Sequence, residues 1–150
     1  MCGTFFEHWR VRPNDRALKK GVFFIAGNGV IAYNPLVSDC LFCKIARKEI
    51  PAQIVFDEGD VLAFKDIHPQ APVHVLIIPK KHVANVLELS TEDVSLLGEI
   101  QRAAAALADQ FSVRESGFRL VVNNGSDAGQ AVAHLHVHFL AGRRLSWPPG

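Results

Sequence analysis

The sequence predicts an α+β domain: an antiparallel sheet of about five strands, a short helix ahead of it and one long helix inserted between its strands. Three observations predict it. Short runs of alternating apolar residues are separated by tight turn signals, as hairpin-linked strands require. One long segment, residues 90–111, carries apolar side chains at helical spacing. Hydrophobic residues make up 49% of the 150, enough for one buried core without disulfides.

Each element has its own signal. Ser38-Asp39 can cap a short helix carrying Leu41, Phe42 and Ile45, which ends before Pro51. Gln53–Asp57 and Val61–Lys65 alternate around Glu58-Gly59-Asp60, a hairpin pattern. Val73–Ile78 reads as a strand stopped by Pro79. Ser90-x-x-Asp93 is a capping-box variant that opens the long helix, whose expected inner face is Val94, Leu97, Ile100, Ala104, Leu107 and Phe111. Phe118–Val122 and His134–Leu140 are the last two strands, on either side of a polar, glycine-bearing loop.

Residues 1–37 read differently from the 38–150 body. They hold the aromatic clusters Phe5, Phe6, Trp9 and Phe23, Phe24 with no sustained period, and five basic residues against Glu7 and Asp15, a balance of +3. The body carries 11 basic against 13 acidic residues, a balance of −2. Val22–Ala32 after the basic stretch has a faint signal-peptide look, but Gly27-Asn28-Gly29 breaks it and no small-residue cleavage pattern follows. The expectation is an extension, either loosely attached or lying upstream of a start at Val30, Leu36 or Val37. A slightly acidic body lacks the footprint of a nucleic-acid binder. Mean hydropathy is +0.14, and no apolar run approaches the roughly 20 residues of a spanning helix, so no membrane partner is expected. Three cysteines (Cys2, Cys40 and Cys43) make no disulfide framework, and a reducing, cytoplasmic setting is expected.

The chemistry concentrates in His134-Leu135-His136-Val137-His138-Phe139-Leu140. On a strand, three imidazoles would project from one face and Leu135, Val137 and Phe139 from the other. Imidazoles in a row are proton carriers, nucleophiles or metal ligands near neutrality. Two readings compete: a catalytic zinc held by the histidines, or one imidazole attacking phosphorus while its neighbours bind the oxygens. The loop Asn123–Gln130, four residues ahead of the row, favours the second. Its glycines let backbone approach a ligand, and its amides suit phosphate oxygens.

The pattern His134-Leu-His136-Val-His138-Phe-Leu resembles the histidine triad. Asp66-Ile67, Pro69-Gln70-Ala71-Pro72, His74, Ile78-Pro79-Lys80-Lys81-His82, Gly129-Gln130 and the ending Trp147-Pro148-Pro149-Gly150 extend the likeness over residues 38–150. They are similar to the Hint (protein kinase C inhibitor-like) branch of histidine-triad nucleotide-binding proteins. The resemblance implies a homodimeric purine nucleoside phosphoramidase, cleaving the P–N bond of adenosine or guanosine 5′-phosphoramidates or acting on aminoacyl adenylates. It implies His136 as nucleophile, with His138 and His74 on phosphate oxygens or leaving group, His134 completing the triad, and no metal required for turnover. Phe42, Ile45, Ile50 and Phe64 would hold the base, and Asp66, followed by Ile67, the ribose hydroxyls. Asn123, Gly129 and Gln130 would contact phosphate or leaving group, and Trp147 would reach the partner subunit's pocket. Dinucleoside polyphosphate hydrolysis is the alternative within enzymes, though the tail points away from it; a nucleotide-binding regulatory module is the alternative outside them.

Two positions depart from the family's pattern. Ala131 stands where many relatives carry a polar residue near phosphate, which implies retuned rather than abolished activity. His68 stands where many carry serine, and reads as a solvated loop residue. Cys40 and Cys43 leave three readings open on the residues alone: half a tetrahedral metal site, two buried thiols, or a redox pair without the usual βαβ setting. Similar bacterial histidine-triad proteins imply the first, a structural zinc completed by His82 and His134.

Overall fold

A computed structural model describes residues 39–148 of the chain. The extension expected over 1–37, Cys2, the Ser38 half of the expected helix cap and the final Pro149-Gly150 lie outside those residues. In order come α1 (Leu41–Ala46), β1 (Ile54–Glu58), β2 (Val61–Lys65), β3 (Val73–Pro79), α2 (Val94–Gln110), β4 (Phe118–Val121) and β5 (Val137–Ala141). The strands form one five-stranded sheet in the order β1-β2-β3-β5-β4. Every neighbouring pair is antiparallel.

The sheet is covered on both faces, and the sequence shows why. β2 and, past His74, β3 are continuous apolar runs, not the alternation expected for Val61–Lys65, because their residues are buried on both sides. On one face Val61, Ala63, Val75, Ile77, Val137 and Phe139 meet α2. On the other, Leu62, Phe64, Leu76 and Ile78 meet Phe42 and Ile45 of α1. Each large side chain buried in this way contributes roughly 1.5–3 kcal/mol.

Three expectations need correction. The cap of α1 is Cys40, which makes no side-chain cap bond; Asp39 instead pairs with Lys44 at 3.1 Å. The inner face of α2 is rotated from the expected one. Leu96, Ile100, Ala103, Ala104, Leu107 and Ala108 are buried, while Val94 and Leu97 are 63% and 50% exposed. The alanines let the helix axis approach the sheet closely, so their side wins over the bulkier Val94–Leu97 side. The third correction bears on chemistry: β5 begins at Val137, so His134 and His136 precede the strand and do not form a row with His138 on it.

The turn chemistry matches the sequence. Gly59 takes φ +53° at the β1–β2 hairpin, where a Cβ would run into the Glu99 carboxylate that accepts the Asp60 N–H at 2.7 Å. Ser90 donates its N–H and its hydroxyl to Asp93 at 3.0 and 2.8 Å, opening a 3₁₀ turn (Thr91–Asp93) that runs into α2.

Candidate active site and metal centre

Because the chain enters β5 only at Val137, the three histidines are aimed at different neighbours. His134 is fully buried. Its Nε2–H donates to the Pro79 carbonyl at 2.9 Å, which leaves the Nδ1 lone pair facing Cys40 Sγ (3.4 Å) and Cys43 Sγ (3.5 Å). His82 Nδ1 lies 3.2 Å from Cys43 Sγ. The donor atoms of Cys40, Cys43, His82 and His134 all fall within 4.8 Å of one another. Two thiols and two imidazoles converging with a ring lone pair turned inward form a group that could hold a metal ion. Without metal, burial and the adjacent Cys40 push the Cys43 thiol up to about 11.

The other two triad histidines meet a third from β3. His136 is buried and donates its Nδ1–H to the His134 carbonyl at 2.7 Å, so its Nε2 carries the lone pair. Its ring meets Phe42 edge-on at 5.4 Å between centroids and lies 5.1 Å from the His138 ring. His74 accepts the Gln70 backbone N–H at Nδ1 (3.1 Å), so its proton is on Nε2, 2.9 Å from His138 Nδ1. His138 therefore carries its own proton on Nε2, a buried atom with no partner among the described residues. Backbone groups thus set the tautomers of His134, His136 and His74, and His74 in turn sets that of His138. Burial pulls His134 and His138 down to about 4, and lowers His74 against the opposing Asp66 carboxylate, which favours the neutral form of these three rings.

Asp66 sits at the end of β2, with Oδ1 accepting the His68 N–H at 2.8 Å and Oδ2 3.4 Å from His74 Nε2. Phe42, Ile45 and Phe64 gather in the core cluster on this face, with Ile50 at its margin. Ile67 is 85% exposed, and His68 and Ala131 are also at the surface. Trp147 is 84% exposed in the single chain. Gln130 is committed to the loop: its Oε1 accepts the Gly125 N–H, and its Nε2 donates to the Ala84 and Val132 carbonyls at 2.7 and 3.1 Å. It shapes the 123–130 segment, which Gly129 helps close at φ +77°. Sequence reasoning missed the part played by Gln70, whose backbone N–H fixes His74. No side-chain pattern signals a main-chain donor.

The HIT domain model matches residues 47–145. Cys40 and Cys43 lie ahead of that span, whereas His82 and His134 fall within it. The chain is 51% identical to an uncharacterized HIT-like protein of Synechococcus elongatus over 112 residues, 75% of this chain and 97% of that protein. It is 42% identical to adenylylsulfatase HINT1 of Arabidopsis thaliana over 122 residues, 80% of this chain and 82% of that one. Among solved structures, a HIT family hydrolase from Legionella pneumophila superposes with a TM-score of 0.73 at 52% identity, covering 75% of this chain and all of that one. A HIT family hydrolase from Clostridium thermocellum gives 0.70 at 46% identity, covering 72% and 94%. A triad with its tautomers set by the backbone, on a five-stranded sheet matched over the whole of a solved relative, places the assignment beyond the motif alone: the chain belongs to the histidine triad (HIT) family.

Proposed function

We propose that the chain is a nucleotide hydrolase that cleaves adenosine or guanosine 5′-phosphoramidates through a nucleotidyl-histidine intermediate. The observation that carries this reading is the state of His136: Nδ1–H held by the His134 carbonyl, Nε2 free, and the unpartnered His138 Nε2–H nearby. The His136 Nε2 lone pair forms the bond to phosphorus as the P–N bond breaks, and its electron pair goes to the amine, which leaves with a proton from solvent. His138 Nε2–H stabilises the charge on a phosphoryl oxygen. Water then attacks phosphorus and gives up a proton to solvent, the P–His136 bond breaks with its electron pair returning to Nε2, and the nucleoside monophosphate is released.

Phe42, Ile45, Ile50 and Phe64 offer the base an apolar wall, and Asp66 offers the ribose a carboxylate. Asn123, Gly129, Gln130 and Ala131 bound the phosphate side. Cys40, Cys43, His82 and His134 would hold a structural zinc, which ties α1 to the turn ahead of β5 and supplies no chemistry to the reaction. Residues 38–150 make up the working domain. Edge strand β4, paired to β5 on one side only and with Phe118, Leu120 and the following Val122 partly exposed, supports a homodimer, and the cysteine usage suits the cytoplasm, where thiols stay reduced.

A second reading is favoured by the Arabidopsis relative, described as an adenylylsulfatase. In that reaction sulfate replaces the amine as leaving group and His136 keeps its role. Comparative kinetics with a fluorogenic adenosine phosphoramidate and with adenylyl sulfate tests both. Protein quenched in alkaline denaturant and carrying a covalent adenylyl group on His136 supports the shared mechanism; absence of the adduct and of turnover on either substrate rejects it.

A further inference from the structure

The turn after β5 is built onto the loop that holds His74. Arg143 donates from Nε and Nη2 to the Gln70 carbonyl at 3.3 and 3.1 Å, across 73 positions of sequence. Beside it, Gly142 takes φ +85°, and a Cβ there would stand 3.0 Å from the Pro72 side chain, so this turn and the loop are in close contact at a second point. The loop is Pro69-Gln70-Ala71-Pro72. Its prolines fix φ at 69 and 72, which leaves ψ of Pro69 and φ of Gln70 to aim the Gln70 N–H, with the Gln70 carbonyl held by Arg143 one Cα away in the next peptide. That N–H is the donor to His74 Nδ1.

We infer that Arg143 is a positioning residue for the histidine group: by holding the Gln70 carbonyl it keeps the Gln70 N–H on His74, and through His74 it sets which nitrogen of His138 carries the proton. The chain of contacts runs Arg143 to Gln70, Gln70 to His74 Nδ1, and His74 Nε2–H to His138 Nδ1. His138 Nε2–H is then left facing the reacting group. With the Gln70 N–H withdrawn, His74 can move its proton to Nδ1. Its Nε2 then becomes an acceptor, and His138 turns its proton back toward His74, away from the substrate. A guanidinium suits the task because two N–H groups reach one carbonyl from a fixed plane. Arg143 itself is exposed and touches neither His136 nor His138.

The experiment has two arms, and only the kinetic one rests on the proposed reaction. In substrate-free full-length protein labelled with ¹⁵N, two-bond ¹H–¹⁵N correlations report the tautomer of each imidazole. Wild type should give Nε2–H for both His74 and His138; Arg143→Ala should give mixed tautomers at both, with an unchanged melting temperature. Arg143→Lys, which retains one donor, should restore the wild-type pattern in part. Kinetically, Arg143→Ala should lower kcat by about 10-fold with KM changed less than about 2-fold, the split expected when an interaction made in the transition state is lost. Unchanged His74 and His138 tautomers in folded Arg143→Ala overturn the inference whatever the activity does. Tautomers that shift in a protein inactive on every nucleotide tried support it and count instead against the proposed reaction.

Discussion

The His134 carbonyl accepts the Nδ1–H of His136 at 2.7 Å, while the His134 ring faces Cys40 and Cys43. One residue therefore belongs to the candidate metal centre by its side chain and to the candidate nucleophile by its backbone. The fold around His134 and the chemistry of His136 are joined at that peptide.

His136→Ala should lower turnover by about 10³-fold or more while nucleotide binding survives, since the base and ribose contacts lie on other elements. Single-turnover cleavage and titration with adenosine monophosphate check the two halves separately. Near wild-type cleavage removes His136 as the nucleophile.

Purified protein should carry about one zinc per chain. Cys40→Ser with Cys43→Ser should release it and lower the melting temperature by about 10 °C, because a ligand bound only to the folded state stabilises that state. Elemental analysis with thermal unfolding reads both. Chelation should cost stability and leave the chemistry largely intact; complete, zinc-reversible loss of turnover in a still-folded protein revives the catalytic-metal reading.

Asp66→Asn should raise KM for ribonucleotide substrates by about 10-fold or more, the scale of a lost charge-assisted hydrogen bond, and change it little for a 2′,3′-dideoxy substrate. Equal effects on both substrates argue that Asp66 acts through His74, 3.4 Å away, and not on the ribose.

Stability should fall as the medium is acidified from pH 6.5 toward 4. His138 is held down to about 4 against an ordinary value of 6.5, so the unfolded chain binds more protons across that window. The contribution is complete above 6.5 and is lost as pH drops toward the folded value. Urea unfolding at a series of pH values should show the slope, and His138→Gln should flatten it. An unchanged slope in that variant assigns the effect to other groups.

The tail and the dimer make one linked prediction. Arg119 holds the Ser146 carbonyl at 2.7 Å, and Trp147 beyond it is exposed in the single chain. Deleting residues 146–150 should preserve a folded dimer that binds adenosine monophosphate and alter discrimination between bulky aromatic and small amine leaving groups. Leu120→Lys on the open edge of β4 should instead give a monomer by light scattering. An unaltered leaving-group profile removes Trp147 from the site, and a monomeric wild type removes the partner subunit.

The sequence by itself determined the fold class, the strand hairpins, the capped long helix and the identity of the chemical groups. Those depend on local period, turn residues and residue type, all written along the chain: Gly59 at its turn, Ser90 with Asp93 at the helix start, the triad ahead of Phe139. Tertiary structure decided the rest. The inner face of α2 depended on how closely Ala103 and Ala104 let the helix approach β2 and β3, a packing choice that spacing alone left between two flanks. The fates of the three histidines depended on where the chain joins β5. Strand alternation would have kept them together; pairing begins at Val137, so His134 turns to the cysteines and only His136 remains beside His138. Their tautomers depended on carbonyls and amides of Pro79, His134 and Gln70, and main-chain groups have no residue identity to read until folding brings them within hydrogen-bond reach.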